Sequence, residues 1–283
     1  MTDHYALSQP AAASPIAPAD KPGRRRALAG KLPADLLPIV ALPVGTAIAT
    51  LVLWQVFVRV AGVPAAILPP PTDIVAQIAA HYPLLLKHAL PTTLETLLAF
   101  AIAVPLGIAL AAAMTCSTTV NRAFYPNIIF FQLIPKIALA PMFIVWLGIG
   151  SPSRVTFSVF ISFFPILIAT ATGLQAVGRD TVRLCRSIGA SDWQILFHVR
   201  FPTSLPYIFS GMKVAVTLAI IGIVVGEFIA SQAGLGYLIL FASSRQQADL
   251  GLACIAVLCT VGLLFYAAVA LGERLMMKLY GDR

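Results

Sequence analysis

Four charged side chains interrupt long apolar stretches of the sequence, and they are the first candidates for chemistry. Glu95, Lys136, Lys213 and Glu227 each lie within a hydrophobic segment. A charged group at the centre of a bilayer costs about 2.5–3.5 kcal/mol on insertion scales, so each must face a cavity, a partner or the membrane boundary. A lysine in a cavity could contact an anion, and a carboxylate could pair with a cation or set the polarity of a gate.

Lys136 is the candidate for contact with a transported anion. It follows Pro135 near the middle of its hydrophobic segment, and Pro141 lies in the same segment. Prolines inside a span free backbone carbonyl groups, which are tolerated where they line a cavity. Two alternatives stay open for Lys136: its long stem reaches the membrane boundary, or its ammonium group pairs with Glu95 or Glu227. The candidate translocation path consists of Pro135, Lys136, Pro141 and Glu227.

Glu227 and Lys213 lie in one hydrophobic segment, towards its opposite ends. Glu227 follows the stretch GIVVG, whose small residues at a spacing of four let two helices approach closely. We interpret Glu227 as a structural partner or as part of a gate rather than as a substrate ligand. Lys213 is expected to extend its ammonium group to the nearer membrane boundary. The turn at Gly234 and Gly236 shapes an outer gate or is a simple tight turn.

The sequence contains no motif for catalysis, nucleotide binding or metal binding. There is no G-x-x-x-x-G-K-[ST] loop for ATP phosphates, no H-E-x-x-H motif and no convincing pair of nucleophile and base. The 4 cysteines form no C-x-x-C pair, and the 4 histidines lack the spacing of metal ligands. We therefore predict no catalytic residue, no metal site and no cofactor bound by this chain.

Composition indicates the class of fold that positions these residues. Hydrophobic residues make up 59% of the 283 residues and charged residues only 11%, whereas a soluble domain has about 25% charged residues. The apolar residues also occur in runs of about 20, the length that a helix needs to cross a bilayer. We predict an all-α integral membrane protein with six transmembrane helices, at residues 35–60, 89–113, 124–147, 154–176, 205–230 and 250–278.

Two further elements are predicted outside the spans. Residues 1–33 are rich in Pro, Ala and Ser and contain a basic cluster, which is typical of a disordered tail. The transmembrane domain then occupies residues 34–283. Thr72 has the residue type of an N-cap for a short surface helix over residues 73–81.

The basic residues predict the orientation of the chain. With a cytosolic N-terminus, 13 lysines and arginines fall on the cytosolic side and 4 on the other, in agreement with the positive-inside rule. Both termini are therefore expected in the cytosol, in a multi-pass protein of the cell inner membrane. Because the net charge of +8 resides in loops and tails, it indicates control of topology rather than binding of nucleic acid.

A polar segment, residues 179–206, separates the fourth and fifth spans on the predicted cytosolic side. Residues 179–187 contain no helix breaker, and Gly189 then permits a turn. A second helix is expected to start at Ser191, with a capping box completed by Gln194. The apolar stripe of this helix is Trp193, Leu196 and Phe197, its end is Pro202, and Pro206 lies near the start of the fifth span.

The polar segment either rests on lipid headgroups or docks in the groove of a cytosolic partner. Its sequence IGASDWQILFHVRFPTSLPYI resembles the cytosolic EAA loop of ABC importer permeases, with Gly189, Pro202 and Pro206 at the positions of that pattern. Residues 183–185 read Arg-Leu-Cys where the pattern has Glu-Ala-Ala. The stretches PKIALAPMFIVWLGIG and EFIASQAGLGYLI resemble the nitrate, sulfonate and taurine branch of these permeases, and the resemblance extends over roughly residues 89–280.

The resemblance implies a type I importer permease fold, with a cytosolic coupling-helix loop between helices 4 and 5. It also implies partners: two copies of a cytosolic ABC ATPase, which hold ATP and Mg, a second copy of the permease in a homodimer, and an extracytoplasmic substrate-binding protein. The residues that it assigns to the ATPase-coupling loop are Arg183, Arg186, Gly189, Ala190, Ser191, Trp193, Leu196, Phe197, Pro202 and Pro206.

The function implied by the resemblance is that of a transmembrane permease subunit in an ATP-driven importer. The expected substrate is a small anion such as nitrate, a sulfonate or taurine, and the alternative within the family is a pyrimidine vitamin precursor or riboflavin. A different class, an ATP-independent carrier, predicts inverted repeats, and none is evident between residues 34–150 and 151–283. A membrane-embedded enzyme would need a catalytic constellation, which the sequence does not contain.

Overall fold

The computed structural model describes residues 36–281, and these residues are helical apart from short connections. The predicted tail at residues 1–33 lies outside the described residues. The helices are α1 (Leu36–Val60), α2 (Pro71–Ala80), α3 (Tyr82–Cys116), α4 (Thr118–Leu133), α5 (Ala140–Leu147), α6 (Ser151–Gln175), α7 (Arg179–Ser187), α8 (Asp192–Ile195), α9 (Phe201–Ala230), α10 (Leu235–Ser244) and α11 (Ala248–Gly281), with a 3₁₀ turn at Lys136–Leu139 and a π-helical turn at Leu196–Arg200.

Six spans are present in the described residues when α4 and α5 are counted together, which confirms the predicted all-α membrane fold. The third span is broken rather than straight, because its two halves meet at an angle of 89°. The break coincides with Pro135, which precedes the 3₁₀ turn and cannot continue the hydrogen-bond ladder of α4. Helix α3 begins at Tyr82, seven residues before the predicted start of its span.

The chain divides into two units after Thr50. The first unit contains the start of α1, whose side chains from residue 41 to residue 50 are exposed and mostly apolar, as expected for a helix in lipid. The second unit contains α2 to α11. Within this unit we call the side on which the polar segment lies the inner side, in agreement with the distribution of basic residues. The order of the helices along the chain places the ends of α3, α6 and α11 on the inner side, and α2 and α10 on the outer side.

Helices α6 and α9 form the centre of the second unit through very close packing. A Cβ atom on Gly211 would lie 2.6 Å from the Cβ of Ala169, and one on Gly222 would lie 2.8 Å from the Cα of Ser158. The Ser158 hydroxyl donates across the interface to the carbonyl oxygen of Ala219 at 2.8 Å. Small residues let membrane helices approach in this way, and the contact supplies dispersion energy where lipid gives no hydrophobic drive. The positions without a side chain at this interface form a glycine seam: Gly173, Gly211, Gly222 and Gly226.

The short outer helix α2 exists close to its predicted position but starts differently. Pro71 is its first residue, and no side chain caps its N-terminus. Proline suits this position because its missing N–H would have had no partner in the first turn. Thr72, the predicted cap, instead lies inside α2, where its N–H donates to Gln55 Oε1 at 3.2 Å.

A substitution in the glycine seam should destabilise the protein. We expect Gly211→Ala to lower the free energy of unfolding by about 1–3 kcal/mol, because the added methyl group overlaps Ala169 and the carbonyl of Pro165. Gly251→Ala is the control, since its Cβ would lie 3.8 Å from Ala242 in ordinary contact. Thermal unfolding of both variants in detergent provides the comparison, and equal midpoints would contradict the role of the seam.

Candidate functional site

Glu227 is the centre of a buried polar cluster at the outer end of α9. Its side chain is only 2% exposed. The carboxylate accepts a hydrogen bond from the Thr92 hydroxyl of α3 at 2.7 Å and another from the backbone N–H of Gly236 at 2.7 Å. A buried carboxylate is tolerated only when its oxygens are satisfied in this manner. Glu227 therefore joins α3, α9 and the N-terminus of α10.

The same cluster fixes the position of α10. The Thr92 hydroxyl accepts from the backbone N–H of Leu235 at 2.9 Å, and His88 Nδ1 lies 3.2 Å from the backbone nitrogen of Gly234. The first turn of α10 therefore directs its free N–H groups at side chains of α3 and at a carboxylate, the charge that a helix N-terminus favours. Gly234 has a φ of +106°, and a Cβ there would overlap the Glu227 carboxylate. The glycines of this turn are thus required by the carboxylate that α10 covers.

An ion pair between α3 and α6 lies beside this cluster. Arg154 donates to Glu95 through Nε at 2.8 Å and through Nη2 at 2.5 Å, in the two-pronged geometry of strong guanidinium–carboxylate pairs. The two side chains are 13% and 12% exposed. Gly226 makes room for the pair, because a Cβ there would lie 2.8 Å from the Arg154 side chain. The sequence analysis predicted Glu95 to face a cavity, a partner or the membrane boundary but did not identify Arg154, the first residue of the predicted span 154–176, as its partner.

Lys213 is paired with a carboxylate in the structure, a contact that the sequence did not predict. Its ammonium group donates to Glu273 of α11 at 2.5 Å, and both side chains are about a quarter exposed, at 23% and 24%. The ammonium group also lies 5.8 Å from the ring centre of Tyr266. A carboxylate on the neighbouring helix α11 therefore neutralises the charge of Lys213.

Lys136 lies at the break of the third span, in the 3₁₀ turn between α4 and α5. Its ammonium group is 5.1 Å from the ring centre of Phe164, close enough for a cation–π contact. Within residues 36–281 it makes no ion pair, and Glu95 and Glu227 have the other partners described above. The alternative in which Lys136 pairs with either carboxylate is therefore wrong.

The two prolines of the candidate path flank Lys136 at the break. Pro135 precedes the 3₁₀ turn, and Pro141 lies in the first turn of α5. The structure thus places Pro135, Lys136 and Pro141 together, while Glu227 belongs to the separate outer cluster with Thr92 and α10.

The turn in the polar segment has the local structure that its residues predict. Gly189 has a φ of +84°, and the N–H groups of Gly189 and Ala190 donate to the carbonyls of Arg186 and Cys185, each at 3.0 Å. These two bonds are the Schellman arrangement that ends a helix at a left-handed glycine. The capping box of α8 is also present, since Ser191 and Gln194 exchange hydrogen bonds at 2.8 and 3.3 Å.

The second helix of the polar segment does not end at Pro202, contrary to prediction. Helix α8, the π-helical turn and α9 form one helix from Asp192 to Ala230, and Pro206 lies within it. Pro202 falls in the first turn of α9, directly after the π-helical turn. That turn shifts the backbone pairing, with the N–H of Phe201 bonded to the carbonyl of Leu196, so the proline fits without a break.

The apolar stripe predicted for this helix is divided between two environments. Leu196 is buried against the core formed by α3 and α6. Trp193 and Phe197 are instead 64% and 59% exposed, with stacked rings whose centres are 5.9 Å apart. Asp192 accepts from Arg186 at 2.9 Å and so braces α8 against α7. The segment is anchored through Leu196 and presents Trp193 and Phe197 outward.

Comparison with known proteins identifies the class. The model of the family described as "Binding-protein-dependent transport system inner membrane component" matches residues 103–278. The match covers more than half of the chain, so the chain belongs to this family and is a membrane-spanning ABC importer permease. This family membership favours the importer permease over the two alternatives, an ATP-independent carrier and a membrane-embedded enzyme.

The chain is also similar to particular permeases. It is 35% identical to the riboflavin transport system permease protein RibX of Chloroflexus aurantiacus over 85% of this chain and 90% of that protein. It is 34% identical to the formylaminopyrimidine transport permease protein ThiX of Halalkalibacterium halodurans, over 80% and 91%. Identity to the taurine transport system permease protein TauC of Escherichia coli is 27%, over 86% and 91%. The resemblance to the taurine and sulfonate branch is thereby confirmed.

A solved structure supports the fold. The inward-facing MetNI methionine ABC transporter contains a chain that superposes with a TM-score of 0.60 at 18% identity, covering 68% of this chain and 96% of that chain. This similarity confirms the predicted type I importer permease architecture.

Two threonines one turn apart on α3 provide a matched test of the outer cluster. Thr92→Val should lower the free energy of unfolding by about 1–3 kcal/mol, because it leaves Glu227 and the N–H of Leu235 without their buried partner. Thr96 is equally buried, but its hydroxyl has no hydrogen-bond partner in the described part of the chain. Thr96→Val should therefore be neutral or stabilising. Thermal unfolding distinguishes the two, and similar losses would contradict the importance of the Glu227 cluster.

Proposed function

We infer that this permease works as a homodimer with two copies of a cytosolic ABC ATPase and with an extracytoplasmic substrate-binding protein. ATP and Mg are held by the ATPase, since this chain contains no phosphate-binding loop. Family membership supports this assembly. The proposal places the polar segment and both termini in the cytosol, and the charge bias of the loops supports that orientation.

The continuous helix from Asp192 to Ala230 is the observation that carries the proposed mechanism. It contains 39 residues, which at 1.5 Å per residue span about 58 Å. The exposed Trp193 and Phe197 lie at its inner end, and Glu227 lies at its outer end. When the ATPase closes on ATP, it displaces the aromatic pair, and the helix transmits this displacement to the cluster that holds α10. Access to the translocation path then switches from one side of the membrane to the other.

The transported solute is proposed to be a small anion, such as nitrate, a sulfonate or taurine. The support is Lys136, whose ammonium group lies on an aromatic ring at the break of the third span and forms no ion pair within the described residues. Two other cations within the spans, Arg154 and Lys213, are neutralised by carboxylates. Similarity to the taurine permease TauC supports a solute that carries an anionic sulfonate group.

A second candidate solute is a neutral heteroaromatic compound, such as riboflavin or a pyrimidine vitamin precursor. The observation that favours it is the higher identity to RibX and ThiX than to TauC. Uptake by the reconstituted transporter of radiolabelled taurine and of radiolabelled riboflavin, each with the binding protein present, separates the two candidates.

Gly189 tests the coupling role of the polar segment. Gly189→Val should abolish ATP-dependent uptake while the permease remains folded in the membrane, because a β-branched residue resists a φ of +84° and displaces the turn that presents Trp193. Gly62→Val is the matched control, since Gly62 also has a positive φ and open space around it, but lies on the outer side. Normal uptake by the Gly189 variant would refute the coupling role.

Lys136 tests the proposed anion contact. Lys136→Met should lower the uptake of the anion at least about tenfold, the effect of losing one charge-assisted contact, while the ATPase still copurifies with the permease. Lys136→Arg retains the positive charge and should preserve much of the activity. Unchanged uptake by Lys136→Met would remove this residue from the translocation path.

A further inference from the structure

A basic cavity lies at the inner end of α6, and two of the arginines that line it, Arg183 and Arg186, belong to the predicted coupling loop. It has a volume of about 400 Å³ and is bounded by the end of α6, by α7 and by the π-helical turn. Three arginines line it, Arg183 and Arg186 of α7 and Arg200 of the π-helical turn, together with Gln175. Basic residues from separate elements thus border one space.

The carboxylates near this cavity do not satisfy all of its donors. Arg186 is paired with Asp192 at 2.9 Å, and Arg183 makes only a long contact of 3.6 Å with Asp180. Arg200 forms no ion pair with any described residue, and one of its terminal nitrogens reaches the Thr115 carbonyl at 3.5 Å. Its Nε is buried without a hydrogen-bond partner in the described residues. A buried guanidinium donor without a partner is rare, and the charge of Arg200 has no carboxylate partner among the described residues.

We propose that this cavity is a binding site for a phosphate group. The guanidinium group presents several N–H donors in a rigid plane that matches the oxygens of a phosphate. A single planar carboxylate engages one such group well, whereas a tetrahedral phosphate offers oxygens to three groups that approach from different directions. The cavity has room for a phosphate together with the polar part of a lipid headgroup.

The position of the cavity connects ligand binding to the polar segment. Arg183 and Arg186 belong to α7, and Arg186 also braces Asp192 at the start of α8. A phosphate bound between them and Arg200 would tie α7 to the long helix and to the end of α6. The phosphate could belong to an anionic phospholipid of the inner leaflet or to a free cytosolic anion, and the recognition chemistry is the same in both cases.

The test measures binding directly and does not depend on transport. The purified full-length chain is titrated with phosphatidylglycerol, with phosphatidylcholine as reference, and bound lipid is counted by native mass spectrometry. In a parallel arm inorganic phosphate is titrated and followed by ³¹P NMR. Arg200→Gln and the more exposed Arg183→Gln are compared with Arg122→Gln, a control that removes an exposed inner-side charge of α4 away from the cavity.

The expected result is binding that weakens at least about tenfold in Arg200→Gln and Arg183→Gln but not in Arg122→Gln. A loss in the lipid titration identifies the phosphate as that of a lipid headgroup, and a loss in the inorganic phosphate titration identifies it as a free anion. Absence of binding in both arms overturns the proposal, and so does an equal loss in the Arg122 variant. Thermal unfolding of each variant separates loss of the site from loss of the fold.

Discussion

The close contact between α6 and α9 is the constraint on which the other features depend. Two helices can approach until a glycine of one meets the backbone of the other only where no side chain intervenes, and Gly211 and Gly222 provide two such points. This approach brings the inner end of α9 against α6, where Gly173 contacts Tyr207, and its outer end against Arg154. The Glu227 cluster at the outer end of α9 and the basic cavity at the inner end of α6 therefore both lie on one packed pair of helices.

The membrane environment explains how the charges are arranged around this pair. Glu95 with Arg154 and Lys213 with Glu273 are neutralised across helix interfaces, and Glu227 is satisfied by a hydroxyl and a backbone N–H. Each of these arrangements lowers the cost of a polar group in a medium that supplies no water. Lys136 and Arg200, by contrast, lack a carboxylate partner among the described residues, and for that reason we place the proposed ligands beside them.

The sequence predicted much of the fold and only part of the site. Gly189, Ser191 and Gln194 form the turn and capping box that their types predict, because such motifs depend on residues a few positions apart. The prediction that Pro202 ends a helix was wrong, since a π-helical turn that begins at the buried Leu196 precedes it, and no local sequence motif predicts such a turn. The bond between Arg154 and Glu95, 59 positions apart, follows from which helices are neighbours.

Hydrophobicity, proline and glycine positions and the distribution of basic residues are properties of the chain itself. They determined the membrane class and the six spans, because a bilayer imposes nearly the same requirements on any sequence that crosses it. The resemblance to importer permeases rests instead on specific motifs, such as the stretch that contains Gly189, Pro202 and Pro206. Tertiary structure alone decided which charges are paired, that Glu227 holds the N-terminus of α10, and that Trp193 is exposed while Leu196 is buried. Those outcomes depend on helix rotation and neighbours, which a hydrophobic pattern in uniform lipid does not specify.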